Sequence, residues 1–211
     1  MVTQSRALAT RDAILRGAAE VFGARGYGLA SISDIATSAG LTKGALYFHF
    51  ASKDELALAV IAEQHRRTME ASAAILAEGR PALESLVLLC RSLGRQLLED
   101  PVVQAGIRLT TDVGTAEQAI VEPYEDWFRA IEELIRKAID EGDVSERLDP
   151  GMFAHLLSPA FTGVQLVSAT LTGRADLLQR IRELWIVLLP GIAADGRLDA
   201  LRSLPDLVVE G

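Results

Sequence analysis

Apolar residues recur three and four positions apart along almost the whole 211-residue chain, and no stretch sustains an apolar–polar alternation. Such spacing lines one face of an α-helix, whereas a half-buried strand needs a period of two. No Asn-Gly or Asp-Gly pair joins two strand-like runs. The chain is therefore expected to be all-α, with about nine or ten helices. Ile14, Ala18, Val21 and Phe22 form a stripe that stops at Gly26. Ser31 with Asp34 reads as a capping box, opening a short helix that buries Ile32, Ile35, Ala36 and Ala39. Gly40 ends that helix, Thr42 caps the next up to about His49, and Ser52 with Glu55 opens one expected to run to about Glu78. Gly79-Arg-Pro81, Asp100-Pro101, Glu122-Pro123 and Asp149-Pro150 mark later boundaries. Tyr124, Trp127, Phe128, Ile131, Leu134, Ile135 and Ala138 then line one face up to Gly142. Pro159 predicts a kink or break near residue 158. The last long helix follows Gly173, with Leu177, Leu178, Ile181, Leu184, Trp185, Leu188 and Leu189 on its apolar side.

Composition narrows what such a bundle can do. With 49% hydrophobic and 24% charged residues, the chain can bury a core as one large domain or two small ones. The lone Cys90 excludes an internal disulfide and fits a reducing cytoplasm; inside Leu86-Val-Leu-Leu-Cys90 it reads as a buried, inert thiol. The longest strongly apolar run, Leu184-Trp-Ile-Val-Leu-Leu189, falls far short of the ~20 residues of a membrane span, and the N-terminus has no signal core. A cytoplasmic protein with no membrane partner, no metal and no cofactor is expected. Enzyme chemistry lacks its parts. Only His49, His65 and His155 are available, none paired at metal-ligand spacing, and neither a hydrolase elbow nor a P-loop occurs. His65, followed by Arg66-Arg67, reads as a solvated helix face, and His155 as a core or interface histidine.

Charge and aromatics are placed unevenly. Residues 1–55 carry a net +1 within a chain of net −8, so the remainder carries −9. A slightly basic head on an acidic body suggests a polyanion partner for the head. In the same head, Ala39-Gly-Leu-Thr-Lys-Gly-Ala-Leu-Tyr-Phe-His-Phe50 sets four rings between Lys43 and Lys53. Two short helices joined by Ala39-Gly40-Leu41, with a third before them, form a helix-turn-helix, whose second helix enters the DNA major groove by its N-terminal residues. Lys43 can reach a base edge or a phosphate, Gly44 and Ala45 leave room for close approach, and Tyr47 and His49 can donate to phosphate oxygens. Lys53 adds charge, while Phe50 and Phe48 are expected in the core.

The stretch SISDIATSAGLTKGALYFHFASKDEL resembles the DNA-binding domain of TetR-family transcriptional regulators. The match runs through Ile35-Ala36, Gly40, Lys43-Gly44, Leu46-Tyr47, His49-Phe50, Lys53 and Leu56. TKGALYFHF in particular is similar to the γ-butyrolactone receptor branch. The resemblance implies an N-terminal DNA-binding domain over residues 1–55 and a ligand-binding and dimerisation domain over 56–211. It implies a homodimer that binds a palindromic double-stranded operator, with Ser31, Thr42, Lys43, Gly44, Ala45, Tyr47, His49 and Lys53 as DNA contacts. A small, mostly apolar effector would release it. PYEDWFRAIEELI and RELWIVLLPGI resemble segments that line the effector cavity in that branch, which points to Trp127 and Trp185, with Ile131 and Phe161 beside them. The two helices spanning about 150–171 and 174–192 are expected to form the dimer interface as a four-helix bundle. Two alternatives remain open: an effector of another hydrophobic class, and a C-terminal domain that only dimerises, its tryptophans being ordinary core.

Overall fold

A computed structural model describes residues 2–111 and 122–210. Among the described residues no strand forms, and the helices follow the capping and proline signals closely. They are α1 (Val2–Leu29), α2 (Ile32–Ser38), α3 (Lys43–His49), α4 (Lys53–Ala77), α5 (Ala82–Glu99), α6 (Pro101–Thr111), α7 (Glu122–Asp140), α8 (Pro150–Thr172), α9 (Leu177–Ile192) and α10 (Leu198–Leu201). A 3₁₀ turn over Leu204–Val208 closes the chain.

Gly26, with a φ of 71°, ends the first stretch of α1 where the stripe stops, and a short further helical stretch runs on to Leu29. One expectation needs correction. Pro159 does not break α8, which is helical from Pro150 to Thr172. The hydrogen bond that Pro159 cannot donate would go to the carbonyl of His155, and both residues lie on the exposed side of α8, where water can serve that carbonyl.

The chain divides into two compact units. The first contains α1 to α3, α4 as far as Glu70, and α6. Its core joins Ile14, Ala18 and Phe22 of α1 to Ile35, Leu46, Phe50, Leu56, Val60, Val102 and Leu109. Helix α6 packs along α1, and the Arg108 guanidinium donates to the carbonyl of Gly23 at 2.6 Å. Where α6 meets α4 there is no room for a side chain: a Cβ on Gly106 would stand 2.3 Å from the Cβ of Gln64. Asp100 caps α6, accepting from the Val102 amide at 2.9 Å, and pairs with Arg67 of α4 at 2.8 Å. His65, expected on a solvated face, is half-buried on the same stretch of α4.

The second unit holds the rest of α4, α5, and α7 to the C-terminus. Leu83, Leu86 and Leu97 of α5, Ile131 and Ile135 of α7, Phe153 and Leu157 of α8, and Ile181, Trp185 and Leu189 of α9 are all buried there. Burial pushes the Cys90 thiol up to about 12, so it stays protonated and inert. Helices α8 and α9 are joined at Gly173, which takes the left-handed conformation at the end of α8. Asp176 follows; it accepts the hydroxyls of Ser168 at 2.6 Å and Thr172 at 2.7 Å and pairs with Arg180, which together hold its carboxyl down at about 2.

The outer sides of α8 and α9 are apolar. Met152, Leu156, Leu166, Val167 and Leu171 on α8, with Ile186 and Val187 on α9, are all exposed. By length and composition alone, α8 could cross a bilayer, its mean hydropathy reaching 1.2. The apolar character of α8 is not continuous along the chain, since Ser158, Thr162, Gln165 and Ser168 interrupt it.

Candidate nucleic-acid interface

The geometry of α2 and α3 is fixed by short-range chemistry. The Ser31 hydroxyl accepts from the Asp34 amide at 3.2 Å and donates to the Asp34 carboxylate at 2.7 Å. That bond from Ser31, joined by Arg25 at 2.9 Å, holds the Asp34 carboxyl below its usual range, so it stays ionised at the positive end of α2. At the other end Gly40, with φ of 67°, lets the chain reverse, and the Leu41 amide returns to the carbonyl of Ala36 at 2.9 Å. The turn lies tight on α1: a Cβ on Gly17 would come within 2.7 Å of the Ala39 nitrogen. Thr42 then caps α3, accepting from the Ala45 amide at 3.2 Å.

Within α3, Leu46 is buried and its C-cap Phe50 is 2% exposed. Those two, four residues apart, fix which way the helix turns. Phe48 sits two positions from each, about 200° round the helix, and is therefore thrown outward. The expectation of a core Phe48 is corrected: the ring is 86% exposed. Tyr47 is 52% exposed beside it, and Thr42, Lys43 and Gly44 are exposed on the preceding turn. Positions 43, 44, 47 and 48 thus make one outward face with a cation, a gap, a phenol and an apolar ring. Ala45 and His49 are half-buried at its margin, with His49 edge-on to Phe48 at 5.5 Å. Among the described residues Lys43 makes no ion pair.

Two residues expected at this face are occupied with the frame. Ser31 spends its hydroxyl on the α2 cap. The Lys53 ammonium donates to the carbonyls of Tyr27 at 3.0 Å and Ala30 at 3.2 Å, and lies over the Tyr27 ring at 4.2 Å. Tyr27 in turn stacks near Phe22 and donates its hydroxyl to Asp54. Lys53 therefore clasps the end of α1 to the start of α4. A second clasp follows, in which the Glu55 carboxylate accepts from the Ala51 amide while the Glu55 amide donates to Ser52.

The residues expected to line an effector cavity are placed differently from one another. Ile131, Phe161 and Trp185 are buried, and Trp127 is half-buried on α7. The ring that Trp185 meets is Phe153, at 6.5 Å, rather than Trp127. His155 stands on the exposed side of α8 and packs edge-on against Phe128 at 4.9 Å.

Residues 14–60 match a family model described as bacterial regulatory proteins, tetR family, and residues 80–194 match the tetracyclin repressor-like C-terminal domain. The A-factor receptor protein of Streptomyces griseus is 38% identical over 199 residues, which cover 93% of this chain and 68% of that protein. Among solved structures, CprB from Streptomyces coelicolor in complex with its biological operator sequence superposes with a TM-score of 0.86 at 30% identity, covering 98% of this chain and 99% of that one. A γ-butyrolactone receptor described as ArpA-like gives a TM-score of 0.83 at 30% identity, covering 96% and 98%.

Proposed function

The chain belongs to the TetR family of bacterial regulatory proteins, and from that premise we propose that it grips its operator with two copies of α3 and lets go when a small, mostly apolar effector enters the second unit. It is a DNA-binding regulator of transcription, not an enzyme. The observation that carries the groove reading is the outward face of α3. Lys43 and Tyr47 offer donors to phosphates and base edges, Gly44 and Ala45 allow the helix to lie deep, and Phe48 offers an apolar surface for a thymine methyl. Thr42 and His49 stand at the rim, while Ser31 and Lys53 act by holding the frame.

The operator is read by a homodimer. The apolar outer faces of α8 and α9 suit a second copy of the same two helices, and a two-fold dimer matches a palindromic site with half-sites about one helical turn, or a multiple of it, apart. A partner helix also accounts for the hydropathy of α8 without a bilayer. The protein then works in the cytoplasm, where its operator is.

The effector reading rests on the relatives, which include an A-factor receptor and γ-butyrolactone receptors, and on Trp127, whose ring is only half-buried on α7. A flat aromatic face gives an alkyl-bearing lactone a large contact with little side-chain entropy to lose. Trp185 is enclosed against Phe153, with its indole N–H unanswered within the chain, and is the deeper of the two rings. The test uses a γ-butyrolactone with an octyl tail, operator DNA and the native tryptophan fluorescence. The lactone should quench the wild-type protein and release it from operator. Trp127→Ala should need at least about tenfold more lactone for release while holding operator at near wild-type affinity. Release at the wild-type concentration would move the effector away from Trp127.

A further inference from the structure

Among the described residues of the second unit, Gln165 is the one whose buried side chain has two polar atoms unanswered within the chain. It lies on the inward side of α8, one turn beyond Phe161, and is 1% exposed. Neither its amide nitrogen nor its amide oxygen has a hydrogen-bonding partner within the chain. Its neighbour Ser168, just as enclosed, shows how this helix normally treats a buried polar group, since its hydroxyl is satisfied by Asp176 at 2.6 Å. Burying an amide without its hydrogen bonds is unfavourable, and a methionine of the same length and flexibility would fill the space with nothing to satisfy. Packing alone therefore gives no reason for glutamine here. A polar partner that arrives from outside does.

We propose that Gln165 is the polar anchor of the effector site, its NH₂ donating to a carbonyl or ring oxygen and its C=O accepting from a hydroxyl of an otherwise apolar ligand. This rests on the reading that the second unit takes an effector, and it adds what the effector must carry. An amide presents one donor edge and one acceptor atom side by side. It therefore selects a molecule in which an oxygen acceptor stands next to a hydroxyl, with the apolar remainder lying toward Phe161. A pure hydrocarbon would leave the amide as unsatisfied as before. A site built to hydrogen-bond its ligand also rejects an analogue lacking the group far more strongly than an apolar wall rejects a missing methylene.

Two measurements on the full-length protein test this. Without ligand, Gln165→Met should raise Tm by about 2–4 °C, because it removes an unsatisfied buried amide and keeps the volume. A fall in Tm, or a failure to fold, would mean that the fold itself satisfies the amide, and would overturn the proposal. The second is a fluorescence titration with an octyl γ-butyrolactone bearing a ring hydroxymethyl, and with the matching tetrahydrofuran that lacks the carbonyl and the hydroxyl. Wild-type protein should prefer the lactone by at least about tenfold, and Gln165→Met should bind both with nearly equal affinity. If the variant keeps the wild-type preference, Gln165 is not the anchor, although the effector reading stands. If the wild-type protein binds neither compound, the lactone effector reading fails and this inference with it.

Discussion

Val187→Asp should turn the protein into a folded monomer that has lost operator binding. Val187 is 76% exposed on α9, so the substitution removes nothing from the core of its own chain, and the monomer should fold with a melting temperature lowered only by the loss of its partner. In the dimer the same carboxylate would face the apolar sides of α8 and α9 from the second copy, and a desolvated unpaired charge is not tolerated in such a contact. Once the copies part, each α3 must hold its half-site alone. Linking two recognition elements multiplies affinity by about 10²–10⁴, so operator affinity should fall by that range. Sedimentation velocity and a mobility-shift titration on the same preparation check both halves. A variant that remains dimeric and binds as wild type does would place the interface elsewhere.

Gly106→Ala should destabilise the first unit although it improves helix propensity. In an exposed helix this change would gain about 1 kcal/mol. Here the added methyl would meet the Gln64 Cβ at 2.3 Å and its Cγ at 2.7 Å, atoms close to the backbone of α4 that cannot swing aside. Overpacking of this kind costs about 1–3 kcal/mol beyond the lost propensity gain. We expect a net loss of about 2 kcal/mol and a Tm lowered by roughly 4–8 °C. Gly94→Ala supplies the internal control. Its methyl would meet only the tips of Ile181 and Leu178, at 2.7 and 2.9 Å, which can rotate away, so its Tm should move by no more than about 2 °C. Thermal unfolding followed by circular dichroism ranks the two. Equal effects would mean that α4 and α6 are not held as closely as Gln64 and Gly106 imply.

What was legible in the sequence is what depends on neighbours along the chain. Ser31, Thr42, Ser52 and Asp149 cap helices because the amides they serve lie three residues on, and Gly40 turns the chain by its own φ. The all-α class and the recognition helix follow from such local signals, together with the Leu46 and Phe50 spacing. Phe48 was misread because aromatic character suggested burial, while its angular position, available from the same spacing, required exposure. What was hidden depends on contacts made far along the chain. Nothing around Gly106 and Arg108 announces that α6 packs on α1 and crosses α4, since their partners Gln64 and Gly23 are distant in sequence. Lys53 looked like a free cation until the carbonyls of Tyr27 and Ala30 closed on it. Leu188, which the spacing sets on the apolar side of α9, is half-buried, while the side chain turned outward is its neighbour Val187. Gln165 carried no signal at all, because an unpaired amide is visible only once its surroundings are known.

The central claim is that the outward face of α3 binds operator DNA. Operator affinity measured across a salt series, on a fragment recovered from a genomic pool, tests it most directly when wild type is compared with Lys43→Ala and Tyr47→Ala. If Lys43 meets a phosphate, its loss should weaken binding across sequences and flatten the plot of log affinity against log salt by about one unit. If it reads a base, discrimination at one position should fall by about 1–3 kcal/mol instead. Tyr47→Ala should weaken operator binding by roughly 1.5–3 kcal/mol, the worth of a hydrogen bond to a charged oxygen. The account predicts loss for both variants while the protein remains a folded dimer. Unchanged affinity and an unchanged salt slope in both would contradict it.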